Sequence, residues 1–342
     1  MLIVMNQDAT AEQIARVTDA VREMGFQAHP MPGAQRTAVC VTGNKDVVPI
    51  DTFAGLPGIK EIIRVSKPYK LVSREFKPEG TVLRFGDRSI GGEELTVIAG
   101  PCSVETADTT LRIAERLREM GVQFFRAGAF KPRTSPYAFQ GLGQEGLDIL
   151  AKVKSECGMF IVTELLEAEA LPMIAEVADI IQIGARNMHN TALLKRLGTV
   201  KQPILLKRGM AATLDEFLMA AEYIMSEGNY NVILCERGIR TISQHCRFTL
   251  DVAAISALKQ ISHLPVLADP SHAAGVSSMV APLAQASVAA GADGVMIEVH
   301  DDAKAAWCDG PQAMHPDELR STLARLEQIR RSVAPEQPVQ SG

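Results

Sequence analysis

The segment FIVTELLEAEALPMIAEVADIIQIGARNMHNTALLKRLGTVKQPILLKR, residues 160–208, alternates short apolar runs with longer amphipathic segments. The apolar runs lie at 160–164, 179–184 and 203–208, and each has the length of a buried strand. Between them, apolar residues recur at the spacing of a helix face. Parallel strands need crossovers of this kind, so the segment predicts consecutive βα units in a parallel sheet.

The same alternation continues on both sides of this segment, from residue 95 to residue 332. The predicted strands lie at 95–99, 122–127, 160–164, 179–184, 203–208, 232–237, 265–269 and 294–299. The predicted helices lie at 105–120, 144–157, 167–178, 190–197, 213–227, 247–261, 276–290 and 316–332. Eight such units in about 240 residues are typical of an α/β fold, the (β/α)8 TIM barrel. A doubly wound open sheet is the alternative, but the even spacing and the absence of a GxGxxG turn favour the barrel.

A separate small domain is predicted for residues 1–66. Its order βαββαβ is that of a ferredoxin-like fold, with strands at 2–6, 26–31, 36–42 and 59–65 and helices at 10–24 and 47–53. Residues 67–94 are expected to form a polar linker and a short hairpin that lead into the barrel at 95–332. The tail at 333–342 has the composition of a disordered terminus.

The composition excludes several classes of function. The net charge is −5 and no basic stripe is present, which argues against nucleic acid. Every apolar run is shorter than the roughly 18 residues of a membrane span, and the first residues lack the features of a signal peptide. The six cysteines are scattered without a CxxC pair, which indicates reduced thiols and a cytoplasmic location.

Four potential metal ligands follow predicted strands 1, 7 and 8: Cys102, His272, Glu298 and Asp309. In a barrel these strand ends meet at one rim. A thiolate, an imidazole and two carboxylates suit a divalent transition metal such as Mn, Fe, Co or Zn. The alternative to metal ligation is that Cys102 is a thiol packed in the core and His272 is a turn residue. A carboxylate directly after the apolar run GVMI, as at Glu298, is costly unless it is paired or ligated.

Eight cations also fall at or just after strand ends: Arg126, Lys131, Arg133, Arg186, Lys207, Arg208, Arg237 and Arg240. An acidic chain that gathers cations on one rim is expected to bind an anionic substrate, and Gly184 and Ala185 offer backbone N–H groups to a phosphate. Structural ion pairs are the alternative. The available partners, Glu164, Glu236 and Asp269, are too few to neutralise all eight cations.

These residues lie within recognisable runs: AGPCSVE (99–105), RAGAFKPRTSPYAFQGLG (126–143), QIGARNMHN (182–190), LLKRG (205–209), CERGIRT (235–241) and DPSHAAG (269–275). The whole chain resembles the short form of 3-deoxy-D-arabino-heptulosonate 7-phosphate (DAHP) synthase with an N-terminal regulatory domain. The related 3-deoxy-octulosonate 8-phosphate synthase, which uses arabinose 5-phosphate, typically has an Ala-Asn-Arg-Ser-type run where this chain has Lys131-Pro132-Arg133-Thr134.

The resemblance implies condensation of phosphoenolpyruvate with erythrose 4-phosphate, the entry step of aromatic amino-acid synthesis. It implies metal ligation by Cys102, His272, Glu298 and Asp309. It implies phosphoenolpyruvate contacts from Arg126, Lys131, Gly184, Ala185, Arg186, Lys207 and Arg237. It implies an erythrose 4-phosphate loop of Lys131, Pro132, Arg133, Thr134 and Ser135. Lys131, Cys102 and His272 are the expected catalytic residues, Lys131 protonating the new alkoxide, and Glu164 and Asp269 are expected to orient their neighbours.

By the same resemblance, the N-terminal domain binds tyrosine or phenylalanine as an inhibitor between two copies of a homo-oligomer, a tetramer. His29 is a candidate for that site or a surface turn residue, and a packing module is the alternative role of the domain. A chorismate mutase partner is left open. A regulatory protein on an inactive barrel is the remaining class, and it predicts missing metal ligands. The adjacency of Cys308 and Asp309 further predicts that oxidation joins Cys102 to Cys308.

Overall fold

The computed structural model describes residues 1–32, 36–43, 48, 50–53, 55–63, 68–132 and 135–333. These residues form two compact units. The first contains residues 1–81 together with 260–263, and the second contains residues 82–259 and the chain from 264 onward. Within the described ranges, every helix is too short or too polar to cross a lipid bilayer.

The first unit contains the ferredoxin-like sheet, as predicted. Its strands are β1 (Leu2–Met5), β2 (Gln27–Pro32), β3 (Thr37–Thr42) and β4 (Ile59–Ile63), in the order β2-β3-β1-β4, and α1 (Ala11–Glu23) packs against one face. The pairing is antiparallel throughout. The prediction of a helix at 47–53 is corrected: Ile50–Phe53 form a 3-10 helix, and Val48, the other described residue of this range, is not helical.

Residues 68–81 and 260–263 are joined within the first unit by a buried histidine. His263 is 1% exposed, its Nε2 lies 2.6 Å from the Leu71 carbonyl oxygen, and its Nδ1 lies 2.7 Å from Thr81 Oγ1. Because a carbonyl only accepts, Nε2 donates to Leu71 and Nδ1 accepts from the Thr81 hydroxyl. Burial lowers the pKa of His263 to about 4, although the Leu71 bond acts in the opposite direction, so the imidazole is neutral at neutral pH.

The second unit is a closed barrel of parallel strands, which confirms the predicted fold class. The barrel strands are β7 (Thr96–Gly100), β8 (Phe124–Arg126), β9 (Phe160–Leu165), β10 (Ile180–Ile183), β11 (Ile204–Lys207), β12 (Val232–Glu236), β13 (Val266–Ala268) and β14 (Gly294–Glu298). The helices are α2 (Ala107–Glu119), α3 (Gln144–Cys157), α4 (Leu171–Val177), α5 (Thr191–Leu197), α6 (Leu214–Ser226), α7 (Val252–Ile261), α8 (Pro270–Ala274), α9 (Val280–Ala289) and α10 (Pro316–Val333).

A short hairpin closes the N-terminal end of the barrel. It consists of β5 (Leu83–Phe85) and β6 (Arg88–Ile90). The Phe85 ring lies 5.1 Å from the Phe124 ring and 5.5 Å from the Phe160 ring, between centroids, and these two phenylalanines begin β8 and β9. The hairpin thus continues the apolar core, so the opposite rim is the open end.

Two aspartates that directly precede strands stabilise the same N-terminal end of the barrel. Asp179 Oδ2 accepts from the Ile161 backbone N–H, and Asp293 Oδ2 accepts from that of Val266, both across to the neighbouring strand. Each carboxylate is also paired with a lysine from a helix, Lys154 or Lys259 respectively. These contacts stabilise the N-terminal end of the barrel. Active sites of barrels of this kind lie at the opposite, C-terminal rim.

Many predicted boundaries shift by one to five residues in the structure. The helix predicted at 247–261 begins at Val252, so 247–251 belong to the loop that precedes it. The last helix extends to Val333, and 334–342 lie outside the described residues.

Candidate active site

The four predicted metal ligands are placed at one rim by the loops after β7, β13 and β14. Side-chain donor atoms of His272, Glu298 and Asp309 all lie within 4.8 Å of one another, as do those of Cys102, Cys308 and Asp309. His272 Nε2 is 3.4 Å from Glu298 Oε1, and Cys102 Sγ is 3.5 Å from Asp309 Oδ2. Residues far apart in the sequence therefore form one cluster of nitrogen, oxygen and sulfur donors.

Glu298 is held from several directions at the end of β14. Arg126 Nη1 donates to Oε1 at 2.8 Å, and Gln312 Nε2 donates to Oε2 at 2.7 Å. Burial alone would raise the pKa of the Glu298 carboxyl, but His272, Arg126 and Lys131 outweigh it and lower that pKa to about 2. Glu298 is therefore a fixed carboxylate, as a metal ligand must be.

His272 lies in α8, directly after β13, and Asp269 fixes that helix. The Asp269 carboxylate accepts from the His272 backbone N–H and lies 2.8 Å from His272 Nδ1. Lys207 at the end of β11 pairs with the same carboxylate. Burial lowers the pKa of His272, with Asp269 and Glu298 acting in the opposite direction, so the imidazole is neutral at neutral pH. With Nδ1 facing a carboxylate, Nε2 is the nitrogen available to a metal.

Asp309 has φ 51° and ψ 29°, the only left-handed backbone of a non-glycine residue among those described. Aspartate tolerates this conformation better than most residues, and such strain concentrates at functional sites. Arg247 Nη1 lies 3.8 Å from Asp309 Oδ1 and donates to Gln312 Oε1. Asp309 and Glu298 are thus linked through Arg247 and Gln312.

Lys131 lies on the sulfur side of the cluster. Its Nζ donates to the Cys102 carbonyl oxygen at 2.9 Å and lies 3.1 Å from Cys102 Sγ. Burial would lower the pKa of Lys131, but Cys102 and Glu164 outweigh it and raise that pKa, so the side chain is an ammonium. The pKa of Cys102 is raised by its hydrogen bond to Cys308 and by burial. Metal ligation acts the other way, because a thiol loses its proton when it binds.

The donor set fits a divalent transition metal on its chemistry. It combines a buried carboxylate fixed by two donors, a neutral imidazole backed by a carboxylate, and a thiol beside an ammonium. Such mixed ligands suit Mn, Fe, Co or Zn better than Mg or Ca.

A cavity of about 330 Å³ opens beside this cluster. The predicted substrate residues that line it are Lys131, Pro132, Ser135, Gly184, Ala185, Arg186, Lys207 and Arg237, and Glu164, His272 and Asp309 line it as well. Arg126 is not among the lining residues, because it is buried against Glu298 and the Pro101 carbonyl. Arg133 and Thr134 lie outside the described residues.

The cations divide into paired and unpaired groups. Arg208 is a structural residue, since it pairs with Glu236 and Asp251. Arg240 is exposed and does not line the cavity. Arg237 is 5% exposed, its guanidinium lies 4.2 Å from the Phe248 ring centroid, and its Nη1 finds no hydrogen-bond partner among the described residues. A buried N–H without a partner in a cavity wall fits a site built for an anion.

Gly184 brings the loop after β10 close to Glu164. A Cβ atom on Gly184 would lie 2.0 Å from Glu164 Oε1, so only glycine permits this approach. Substitution would displace either the Glu164 carboxylate or the Gly184-Ala185 backbone that is predicted to contact phosphate.

Sequence reasoning missed Gln312, Arg247 and Phe248. Gln312 is 2% exposed and holds a ligand carboxylate, but a Gly-Pro-Gln turn gives no local sign of that role. Arg247 and Phe248 were assigned to a helix, whereas the structure places them in the cavity wall. Both lie in the run CRFTLD (246–251), where an arginine next to an aromatic residue is the signal that could have identified them.

Comparisons with known proteins identify the family of this chain. Residues 74–334 match the DAHP synthetase I family, and residues 1–67 match the DAHP synthase ferredoxin-like domain. A phospho-2-dehydro-3-deoxyheptonate aldolase from Thermotoga maritima is 44% identical over 329 residues, which cover 96% of this chain and 97% of the relative. The chain belongs to the DAHP synthetase I family. The family predicted from the motifs is thereby confirmed.

Solved structures extend the similarity of this DAHP synthetase I family member to the fold. The crystal structure of the Thermotoga maritima DAHP synthase has a TM-score of 0.77 at 44% identity, covering 97% of each chain. A truncated form of that synthase has a TM-score of 0.72 and covers 77% of this chain and 96% of its own. A 2-dehydro-3-deoxyphosphooctonate aldolase from Geobacter sulfurreducens is 35% identical over 266 residues, covering 72% of this chain and 97% of the relative.

Proposed function

We propose that this protein is a metal-dependent DAHP synthase, which condenses phosphoenolpyruvate with erythrose 4-phosphate and releases inorganic phosphate. The observation that carries the proposal is the cation-lined cavity directly beside the donor cluster. Two phosphorylated substrates need such cations, and the carbon–carbon bond forms where the two substrates meet.

Phosphoenolpyruvate binds with its anionic groups on Arg237, Lys207 and Arg186 and on the backbone of Gly184 and Ala185. An arginine fork holds a carboxylate or phosphate in two places, which fixes the direction of the alkene. Erythrose 4-phosphate binds toward Pro132 and Ser135, on the other side of Lys131. Fixing both substrates converts a bimolecular reaction into an effectively intramolecular one.

In the reaction, C3 of phosphoenolpyruvate attacks the aldehyde carbon of erythrose 4-phosphate, and positive charge develops at C2. Water adds at C2 and phosphate leaves by cleavage of its C–O bond. Lys131 protonates the alkoxide, since its ammonium lies 3.1 Å from Cys102 Sγ and lines the same cavity as the proposed substrate contacts.

Cys102, His272, Glu298 and Asp309 would hold the metal. A divalent ion supplies Lewis acidity that polarises the aldehyde carbonyl. Asp269 orients His272, while Gln312 and Arg126 orient Glu298, so these residues set the geometry of the donors.

The test is loss of phosphoenolpyruvate with erythrose 4-phosphate present, before and after exhaustive chelation. Turnover is expected to disappear with the metal and to return when Mn²⁺ or Zn²⁺ is added. Turnover that persists after chelation would contradict the metal requirement. Absence of turnover in the presence of every candidate metal would contradict the activity.

The second candidate is the eight-carbon sugar phosphate synthase. It is supported by the 2-dehydro-3-deoxyphosphooctonate aldolases, which match 70–73% of the chain at 32–35% identity. Replacing erythrose 4-phosphate with arabinose 5-phosphate in the same assay discriminates the two. A regulatory protein on an inactive barrel is disfavoured, because all four donors are present and converge.

We also propose feedback inhibition by tyrosine or phenylalanine through the N-terminal unit of a homo-oligomer, a tetramer, in a reducing cytoplasm. All six cysteines are thiols. His29 is 8% exposed and lies opposite Cys40 in the sheet, with Nε2 2.9 Å from Thr42 Oγ1. The same face carries Ala38, two residues from Cys40. Ala38 lines a cavity of about 410 Å³ with Leu2, Val4, Phe76, Arg36 and Glu61, a combination that suits an aromatic amino acid.

A further inference from the structure

Cys308 is a fifth donor at the metal cluster. It directly precedes Asp309, is 5% exposed, and lines the substrate cavity. Its Sγ lies 3.1 Å from Cys102 Sγ, and the donor atoms of Cys102, Cys308 and Asp309 lie within 4.8 Å of one another. The loop after β14 therefore brings two consecutive side chains, a thiol and a carboxylate, to the same point.

The surroundings of Cys308 are polar, unlike those of a thiol that only packs in a core. The adjacent Cys102 sulfur lies 3.1 Å from Lys131 Nζ and 3.5 Å from Asp309 Oδ2. By contrast, Cys235 lies within the barrel core among apolar side chains. A sulfur beside another ligand sulfur, facing a polar cavity, is placed to ligate.

We propose that Cys308 is a second thiolate of the metal centre and that it shifts the metal preference of the site toward thiophilic ions. This inference rests on the metal centre proposed above. Soft thiolates favour Zn²⁺ and related ions, whereas a set dominated by carboxylate and imidazole favours Mn²⁺ more. With Cys308 the site presents two sulfurs instead of one, and its preference moves toward Zn²⁺.

The local charges permit a second thiolate. Two thiolates and the carboxylates of Glu298 and Asp309 carry four negative charges, and a divalent ion compensates for two. The Lys131 ammonium and the Arg126 guanidinium, which contact Cys102 and Glu298, balance the remaining two. Both thiols lose a proton on metal binding, so the site releases two protons from sulfur.

Cobalt(II) reports the number of sulfur ligands, because each bound thiolate adds near-ultraviolet charge-transfer absorption. Co²⁺ is titrated anaerobically into the full-length, metal-stripped protein, its Cys308→Ser variant and its Cys246→Ser variant. Cys246 is the matched control, since it lies in a neighbouring rim loop and outside the donor cluster. We expect Cys308→Ser to lose about half of the absorption per cobalt and Cys246→Ser to lose none.

Competition between Zn²⁺ and Mn²⁺ gives the second readout. Cys308→Ser is expected to lower the preference for Zn²⁺ by about tenfold, the scale on which one partner residue changes metal affinity. Unchanged absorption together with an unchanged preference would overturn the proposal.

The unsubstituted protein provides a readout independent of any variant. Zn²⁺ is expected to protect both Cys102 and Cys308 from alkylation, located by mass mapping, while Cys246 reacts. Protection of Cys102 alone would overturn the proposal. If the sulfur signatures are observed but no DAHP forms, the proposed function is wrong and this inference stands. If DAHP forms but the sulfur signatures of Cys308 are missing, this inference is wrong and the proposed function stands.

Discussion

Arg237 differs from the other buried arginines of the rim in what its guanidinium contacts. Arg126 is paired with Glu298, and Arg208 with Glu236 and Asp251. Arg237 packs on Phe248 instead and retains an Nη1 with no partner among the described residues. Burial lowers its pKa from the ordinary arginine value, which marks the cost of keeping this charge unpaired. Such a cost is reasonable where an anionic substrate completes the pairing.

Replacing Arg237 with lysine is therefore expected to weaken phosphoenolpyruvate binding. The lysine keeps the charge but loses the fork and the stacking on Phe248. A lost charge-assisted hydrogen bond is worth about 1.5–3 kcal/mol, so kcat/KM for phosphoenolpyruvate should fall about 10- to 100-fold, mainly through KM. Steady-state kinetics with each substrate varied in turn measure this.

Arg240→Lys is the control for that substitution, because Arg240 is exposed and does not line the cavity. Its kinetics should match those of the unsubstituted enzyme. An equal loss in both variants, or a loss confined to the KM for erythrose 4-phosphate, would show that Arg237 does not bind phosphoenolpyruvate.

At the scale of elements, the loops after β7 and β14 meet through their cysteines. These strands are neighbours in the barrel, which brings Cys102 and Cys308 together although 206 positions separate them in the sequence. The sequence predicted a disulfide between them on adjacency to Asp309 alone. The 3.1 Å separation of the sulfurs now supports that prediction with a distance.

Peroxide is expected to oxidise this pair when metal is absent. The two thiols lose two protons and two electrons and form one S–S bond, while hydrogen peroxide is reduced to two molecules of water. The activity that returns when Mn²⁺ or Zn²⁺ is added back should fall as the disulfide forms and should recover after dithiothreitol. Protein oxidised with Zn²⁺ already bound should keep its activity. Mass mapping identifies the linked peptides.

Cys246→Ser should be as sensitive to peroxide as the unsubstituted protein, whereas Cys308→Ser should lose its remaining activity more slowly. Inactivation with Cys102 and Cys308 both still reduced would rule the disulfide out as the cause.

A second contact between elements fixes residues 68–81, and it is made by the neutral His263. Its folded-state pKa of about 4 lies below the ordinary 6.5, so the unfolded chain takes up a proton first as the pH falls. The neutral His263 therefore contributes fully to the free energy of unfolding above pH 6.5, and this contribution is lost as the pH falls from 6.5 to about 4. At 1.36 kcal/mol per pKa unit, the loss amounts to about 3 kcal/mol.

Thermal unfolding between pH 7 and pH 4.5 tests this contribution. His263→Gln should be less stable than the unsubstituted protein at pH 7 and should lose less stability on acidification. His315→Gln, at an exposed position, should keep the original pH profile. An identical pH profile for His263→Gln would show that His263 does not set the acid sensitivity.

The sequence predicted the elements better than it predicted the loops between them. Strand ends could be located because charge follows apolar runs, and this placed Glu298 and Lys207 correctly at the ends of β14 and β11. Periodicity reports which residues are buried but not the path of a loop. Helix α8, which carries His272, was therefore missed, and Gln312 gave no signal because its role depends on Glu298, fourteen residues away.

At the scale of the whole molecule, the two units divide the proposed tasks. All four predicted metal ligands and every residue that lines the substrate cavity belong to the second unit. His29 and the cavity next to Ala38 belong to the first. Catalysis and inhibition should therefore be separable by removing one part of the chain.

A chain that begins at Pro68 is expected to keep turnover within a few-fold and to lose inhibition by tyrosine and phenylalanine. The cut falls before Leu71 and Thr81, so His263 keeps both of its hydrogen-bond partners. A cut after Thr81 would leave a buried imidazole with neither, at a cost of about 1–3 kcal/mol for each unsatisfied group.

Steady-state rates with increasing tyrosine or phenylalanine measure both turnover and inhibition, and full-length His29→Ala serves as the comparison. If the shortened chain is inhibited at the same concentrations as the full chain, the inhibitor binds to the barrel and the regulatory role belongs elsewhere. If His29→Ala alone relieves inhibition, the ligand lies on the sheet face that His29 shares with Ala38, and the N-terminal unit acts as a sensor rather than as a packing module.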